Sequence, residues 1–404
     1  MNRGMRERLG RGIALAGVVA TLGAATACKT KGPDPKPAAS TVASGAVTSA
    51  TAPRSVAPAP SAAPTAAAQP ADAQGIPAAD RVFFVDGLLL GADGASLWAR
   101  AAGGHGADRW RTTGEGVVVD VTVGDLGAGK RLFVARGMGR GFLNAPLVVE
   151  SVEPETGKAT ELWRSAGERN EPAALDFADV NRDGTPELGF AYFSSKYMVR
   201  THPFGPAGTA LPEGPEIRMA TSRAWGDVDG DGKTDEVVGR VYGDAKDLPG
   251  DLKVDRGRGL ELIPTDKGVK SLLFARIGKE AKPSLYFCDG WVANYGKEAH
   301  AVLKRVRFVK GRPEVEVLGR SPDEFTFFAL SALDVDGDGK DEIVAQGDKR
   351  MTVFTAPAGG AGEFTATARG GFEPLLNTAV GQDETGAPVA YIPGRPNARM
   401  VPLR

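Results

Sequence analysis

From about residue 80 to the C-terminus, apolar residues come in short runs broken by Gly/Asp turns. Val82-Phe-Phe-Val85 opens the series. Runs of this length, rich in Val, Ile, Leu and Phe and bounded by turn residues, predict strands. No segment carries a long amphipathic helical pattern, which leaves no room for an α/β enzyme domain. The first eighty residues differ. Gly12 to Ala27 is uncharged and mostly apolar, and residues 29 to 79 are almost entirely Ala, Pro, Ser, Thr and Gly. In that second stretch Val42, Val47, Val56 and Ile76 are the exceptions. Such a composition cannot bury enough surface to offset its ordering entropy, so it predicts a disordered, proline-extended tether.

Within the strand-rich region one pattern recurs. Asp179-Val-Asn-Arg-Asp-Gly-Thr-Pro-Glu187, Asp227-Val-Asp-Gly-Asp-Gly-Lys-Thr-Asp235 and Asp334-Val-Asp-Gly-Asp-Gly-Lys-Asp-Glu342 share the form D-V-[DN]-x-D-G-x-x-[DE]. Oxygen ligands at positions 1, 3 and 5 of a tight loop converge, and a carbonyl at position 7 and a carboxylate at position 9 complete a cage. An all-oxygen, carboxylate-rich set suits Ca²⁺. Thiolate and imidazole are absent from it, which argues against zinc and copper. Gly184, Gly232 and Gly339 at position 6 permit the sharp turn. Asn181 leaves the first loop one carboxylate short, so charge counting ranks that loop weakest. An EF-hand needs a bidentate Glu at position 12, where Phe190, Val238 and Ala345 stand. The residues after each loop read as strand, not helix. The tandem G-G-x-G-x-D of the RTX solenoid is missing.

Strand–DxDxDGxxD–strand resembles the FG-GAP/VCBS repeat of integrin-α-like β-propellers. The resemblance implies coordination by the side chains of Asp227, Asp229, Asp231 and Asp235 with the carbonyl of Lys233. It implies the same for Asp334, Asp336, Asp338 and Glu342 with Lys340, and for Asp179, Asn181, Asp183 and Glu187 with Thr185. Up to three calcium ions follow. The family's Phe-Gly and Gly-Ala-Pro signatures are mostly missing, with Trp225-Gly226 a partial echo.

The first two loops start about one 50-residue period apart and the third about two periods further on, which fits one four-stranded propeller blade per period. A degenerate copy is therefore expected between them, at Tyr286-Phe-Cys-Asp-Gly-Trp291. Further eroded copies are read at Val85-Asp86-Gly87, around Asp125 and around Asp383. The expected fold is all-β: a β-propeller of about seven four-stranded blades over residues 80–404, with calcium-binding loops, preceded by a signal peptide and the tether.

Arg3, Arg6, Arg8 and Arg11 precede the apolar segment, which ends Leu22-Gly-Ala-Ala-Thr-Ala-Cys28. A basic start, a short apolar stretch and small residues form a signal-peptide pattern over 1–27. The segment resembles the lipobox of bacterial lipoproteins, with Ala25 where leucine is usual. That resemblance implies a diacylglycerol on Cys28 and a lipid-anchored envelope protein. Lys29, in place of aspartate, favours the outer membrane. An ordinary signal peptide cleaved without lipid is the alternative.

Composition adds exclusions. A net charge of −1 gives no basic footprint for nucleic acid. His105, His202 and His300 are too far apart in sequence to pair as metal ligands by local spacing. Cys288, the second of two cysteines, reads as a buried strand residue. Three function classes stay open: a binding or adhesion module for a protein or glycan, a polysaccharide lyase, and a non-catalytic subunit of an envelope complex. A lyase would draw on groups such as Lys196, Tyr197, Tyr295, Lys297 and His300. Trp291 and Tyr295 near a turn could anchor a partner. Oligomeric state is expected to be monomeric outside any such complex.

Overall fold

Among the described residues of the computed structural model the apolar runs form 28 strands in seven four-stranded antiparallel sheets. The structure describes residues 75–404, apart from 138–145, 166–170, 196–197, 219, 242–249, 258, 291–300, 322–325, 348–349, 361 and 370–376. The sheets are the blades of a β-propeller. Blades 1 to 6 use four consecutive strands each, over 81–113, 117–164, 171–218, 220–264, 269–320 and 329–369. Blade 7 takes three strands from 379–402 and its outermost strand from Ile76–Ala79, which pairs with Gly394–Pro402. Blade 7 is thus completed by strands from the two ends of the described residues.

That closing strand falls in the stretch whose composition reads as tether. It has four residues, one of them Pro77. A proline is tolerated because the strand lies at a sheet edge, where one side of the backbone needs no partner. Ile76 is the residue that ties it down, at 7% exposure against Leu89 and Trp98 of blade 1.

The innermost strands are Arg81–Val85, Val117–Asp125, Glu171–Ala178, Ala220–Gly226, Val269–Ala275, Ala329–Leu333 and Ala379–Gln382. Blade faces are buried on both sides, because each blade packs against two neighbours. Accordingly seven apolar clusters occupy the seven seams. Among the described residues, the buried cluster between blades 3 and 4 holds Ala174, Ala191, Val199, Ile217, Ala220 and Val238. Aromatic rings pack closely against glycines at several seams. A Cβ at Gly226 would stand 2.1 Å from the Phe274 ring, and Trp225 itself lies against Gly189. The Trp225-Gly226 pair therefore serves two successive seams.

The eroded copy between the second and third acidic loops lies elsewhere than expected. Tyr286 to Asp289 belong to the second strand of blade 5, Ser284–Asp289. The equivalent hairpin is 276–283, which carries Lys279 and Lys282 and only one acid, Glu280. An acid-seeking pattern passes over it for that reason. The copies at Asp86, Asp125 and Asp383 do fall at hairpins joining first and second strands. Cys288 is fully buried and free, with the Phe327 N–H pointing at its sulfur at 3.2 Å. Burial pushes its thiol up to about 12. Among the described residues no helix is long and apolar enough to cross a membrane. Cys28, the signal segment and the tether as far as residue 74 lie outside the described residues.

Candidate metal centres

The three acidic loops are the first-to-second-strand hairpins of blades 3, 4 and 6, over 179–186, 227–234 and 334–341. Blades 3, 4 and 6 each begin at their innermost strand, so these hairpins all project from the same face of the ring. Position 9 of each motif opens the second strand, which buries it. Glu187, Asp235 and Glu342 are 1%, 1% and 4% exposed.

In each loop three carboxylates offer oxygens that lie within 4.8 Å of one another: Asp179, Asp183 and Glu187; Asp227, Asp229 and Asp235; Asp334, Asp336 and Glu342. Two oxygens bound to one Ca²⁺ at about 2.4 Å can stand at most about 4.8 Å apart, so this spacing fits a shared hard cation. Asp231 and Asp338 fall outside their triads. Their carboxylates accept the N–H of Lys233 and Lys340, each at 2.9 Å. Asp338 is also paired with the Lys340 ammonium. In blade 3 position 5 is inside the triad, and its Asp183 accepts from Thr185 N–H at 2.8 Å. The Asn181 side chain donates to Asp183 at 2.9 Å and accepts from its N–H at 2.8 Å.

Backbone amides hold the acids in place. The two oxygens of Asp227 accept from Gly230 and Gly232, those of Asp334 from Gly337 and Gly339, and those of Asp179 from Asp183 and Gly184, all at 2.7–3.0 Å. The buried position 9 accepts from the residue at position 2: Val180 at 2.7 Å, Val228 at 3.0 Å and Val335 at 2.7 Å. Position 4 turns through the left-handed region in all three loops, a requirement the motif did not announce. Gly230 and Gly337 meet it at φ 82° and 86°, and Arg182 meets it with a side chain at φ 64°.

Burial raises the position-9 acids. Asp235 is pushed up to about 6, chiefly by desolvation, with Asp229 and Asp231 adding repulsion. Glu187 and Glu342 rise by the same cause, reinforced by Asp183 and Asp179 in one loop and by Asp336 and Asp334 in the other. Asp183 is held below the usual range by Asn181 and the Thr185 amide, and Asp338 by Lys340. A divalent cation at each triad would neutralise this repulsion.

The loops also touch their neighbours. Lys130 of blade 2 reaches Asp86 at 2.5 Å. Arg182 crosses from blade 3 to blade 4, where its Nε donates to the Thr234 carbonyl at 2.7 Å and its Nη2 stands 3.5 Å from Asp235. Gly278 N–H donates to the Asp341 carbonyl at 3.1 Å, and Arg404 Nε to that of Val335 at 2.9 Å. None of these links is readable from the motif. The possible lyase groups Lys196, Tyr197, Tyr295, Lys297 and His300, and with them Trp291, lie outside the described residues. His202 is 8% exposed, packed on Trp163 and Phe204, with Nδ1 3.1 Å from Glu213.

No family model matches the chain, and no curated protein matches it. Solved propellers are similar in shape. Sqt1 of Saccharomyces cerevisiae gives a TM-score of 0.47 at 11% identity, covering 80% of this chain and 83% of its own. The Dos1 propeller gives 0.47 at 11% identity, covering 80% and 78%. The seven-bladed assignment rests on the sheets described above.

Proposed function

We propose that the chain is a calcium-stabilised propeller of FG-GAP/VCBS type that works as a binding module for a protein or glycan. In this reading a lipid on Cys28 and the Ala/Pro/Ser/Thr tether hold it at the outer face of a bacterial envelope. The observation that carries the calcium half is the repeated triad: three loops, in three blades, each gathering three carboxylates within the span of one ion. The remaining motif residues, including the carbonyls of Thr185, Lys233 and Lys340, complete the oxygen shell. Calcium would tie down hairpins whose acids otherwise repel, and the ring would present its loops to the ligand. β-Propellers commonly serve such roles, though fold alone does not assign one.

The calcium half is tested by thermal unfolding of the full chain in EGTA and in millimolar Ca²⁺. A site at about 100 times its dissociation constant adds about 2.7 kcal/mol. That amounts to a rise of roughly 4 °C per site in a domain of this size. Asp227→Asn combined with Asp334→Asn is expected to remove most of the rise. Equal melting in the two buffers would overturn the calcium reading. The anchor is tested separately: Cys28→Ala should move the chain from the membrane to the soluble fraction of a bacterial host, and retention at the membrane would count against the lipid. Binding of the labelled chain to a panel of polysaccharides and purified envelope proteins, released by EGTA, is the expected signature of the module.

A further inference from the structure

We propose that the three acidic loops fill with calcium in a fixed order, the blade 4 loop last, because Arg256 already serves as its cation. The proposal rests on the calcium reading above. Charge counting alone ranks the blade 3 loop last, since Asn181 costs it a carboxylate. The side chains around the loops give a different order.

Asp229 is one of the three triad acids of blade 4. Its Oδ2 accepts from Arg256 Nη1 at 3.0 Å, while its Oδ1 accepts from the Asp231 N–H at 3.2 Å. Arg256 is not a passing surface group. Its other terminal nitrogen pairs with Glu261, and its guanidinium lies over the Phe308 ring of blade 5 at 4.7 Å. Its side chain is 15% exposed and that of Asp229 is 8%. A second guanidinium approaches from the other side, with Arg182 3.5 Å from Asp235. Gly257 leaves the space for it, since a Cβ there would stand 1.8 Å from the Arg182 Nη1. Two of the three triad acids in blade 4 thus face arginine.

The other triads lack this. Among the described residues no Lys or Arg nitrogen forms an ion pair with Asp334, Asp336 or Glu342, and none does with Asp179, Asp183 or Glu187. In blade 6 Arg404 binds a backbone carbonyl, and Lys340 pairs with the acid that lies outside the triad. An ion that takes up the Asp229 carboxylate in blade 4 competes with a charge-assisted hydrogen bond from a largely buried guanidinium stacked on Phe308, whereas in blade 6 the competing cation is Lys340, a more exposed ammonium paired with Asp338 rather than with a triad acid. Blade 6 keeps three triad carboxylates with no direct ion pair and four acids in its motif, so it fills first.

Calorimetric titration of the full chain with calcium tests this. Asp336→Asn is expected to remove the tightest phase. Asp229→Asn is expected to leave that phase unchanged and to weaken only the last. Arg256→Gln should tighten the last phase by about tenfold, the scale of one charge-assisted contact, while Arg256→Lys, which keeps the charge, should leave it weak. Loss of the tightest phase in Asp229→Asn would overturn the proposal, even if Arg256→Gln failed to fold. So would an unchanged last phase in a folded Arg256→Gln chain. No calcium uptake by the wild-type chain would instead overturn the calcium reading, and this proposal with it.

Discussion

Glu150→Ala is expected to cost the propeller about 3–5 kcal/mol, the scale of breaking a buried ion pair from one side. Glu150 sits on the third strand of blade 2 and accepts from Arg136 Nε at 2.6 Å. Arg136 is fully buried. Its Nη1 donates across the seam to the Ala95 carbonyl of blade 1 at 2.7 Å, and its Nη2 has no partner. Gly114 makes room for the guanidinium, since a Cβ there would lie 2.6 Å from Arg136 Nε. Removing Glu150 leaves a cation stranded between two blades, with one hydrogen bond remaining. Urea unfolding measures the loss. Replacing both partners with apolar residues, Arg136→Met with Glu150→Leu, should recover most of it, because the pair's own desolvation cost disappears as well. A single-variant loss below about 1 kcal/mol would mean that water reaches Arg136.

The second large effect is a fall in stability as pH rises. Asp120 lies on the innermost strand of blade 2, 4% exposed, and accepts from Val121 N–H at 2.9 Å and from Leu175 N–H of blade 3 at 2.8 Å. Burial pushes its carboxyl up to about 7, against the pull of those two amides and of Arg81. Asp176, half-buried on the innermost strand of blade 3, is also pushed up to about 7, by burial and then by repulsion from Asp120. The two titrate as a pair rather than as separate groups. A folded-state pKa above the unfolded value favours folding below about pH 4, and that contribution is lost as pH climbs through about 7. For Asp120 alone the swing is on the order of 4 kcal/mol. In EGTA, the urea midpoint should be lower at pH 8 than at pH 5. Asp120→Asn should flatten that slope, although the position-9 acids, raised in the same direction, will leave part of it. A variant with the wild-type slope would show that Asp120 is ionised without penalty.

Sequence pattern conveyed the repeat and the blade count because a propeller repeats its turns at a fixed spacing, and three of those turns carry acids. Asp125 and Asp383 were found for a related reason. Each still caps its hairpin through backbone amides, Gly127 and Gly129 in one case and Thr385 and Ala387 in the other. The blade 5 hairpin escaped because Lys279 and Lys282 replaced the acids, so nothing at the expected position looked like a copy. The strand Ile76–Ala79 escaped because four residues with a proline have no readable alternation, and its pairing depends on a partner at the far end of the chain. At the loops the pattern named the acids. It did not identify which of them converge, because Asp231 and Asp338 differ from Asp183 only in how the side chain turns. Arg182 and Arg256 were invisible for a simpler reason: both come from outside the motif they touch in blade 4.

The pairing of Ile76–Ala79 with Gly394–Pro402 also sets a timetable. During synthesis the first strand of the ring emerges with nothing to pair with, and six blades can form before its partner exists. The contact joins opposite ends of the described residues, so its loop-closure cost is met last and the closing step is slow relative to hairpin formation. Until then blade 7 lacks its outer strand and the seam between blades 7 and 1 lacks Ile76. A chain lacking residues 76–79 would leave blade 7 three-stranded, with Gly394–Pro402 as a bare outer edge. Such an edge is free to pair with another copy, so this four-residue strand guards blade 7 against edge-to-edge association.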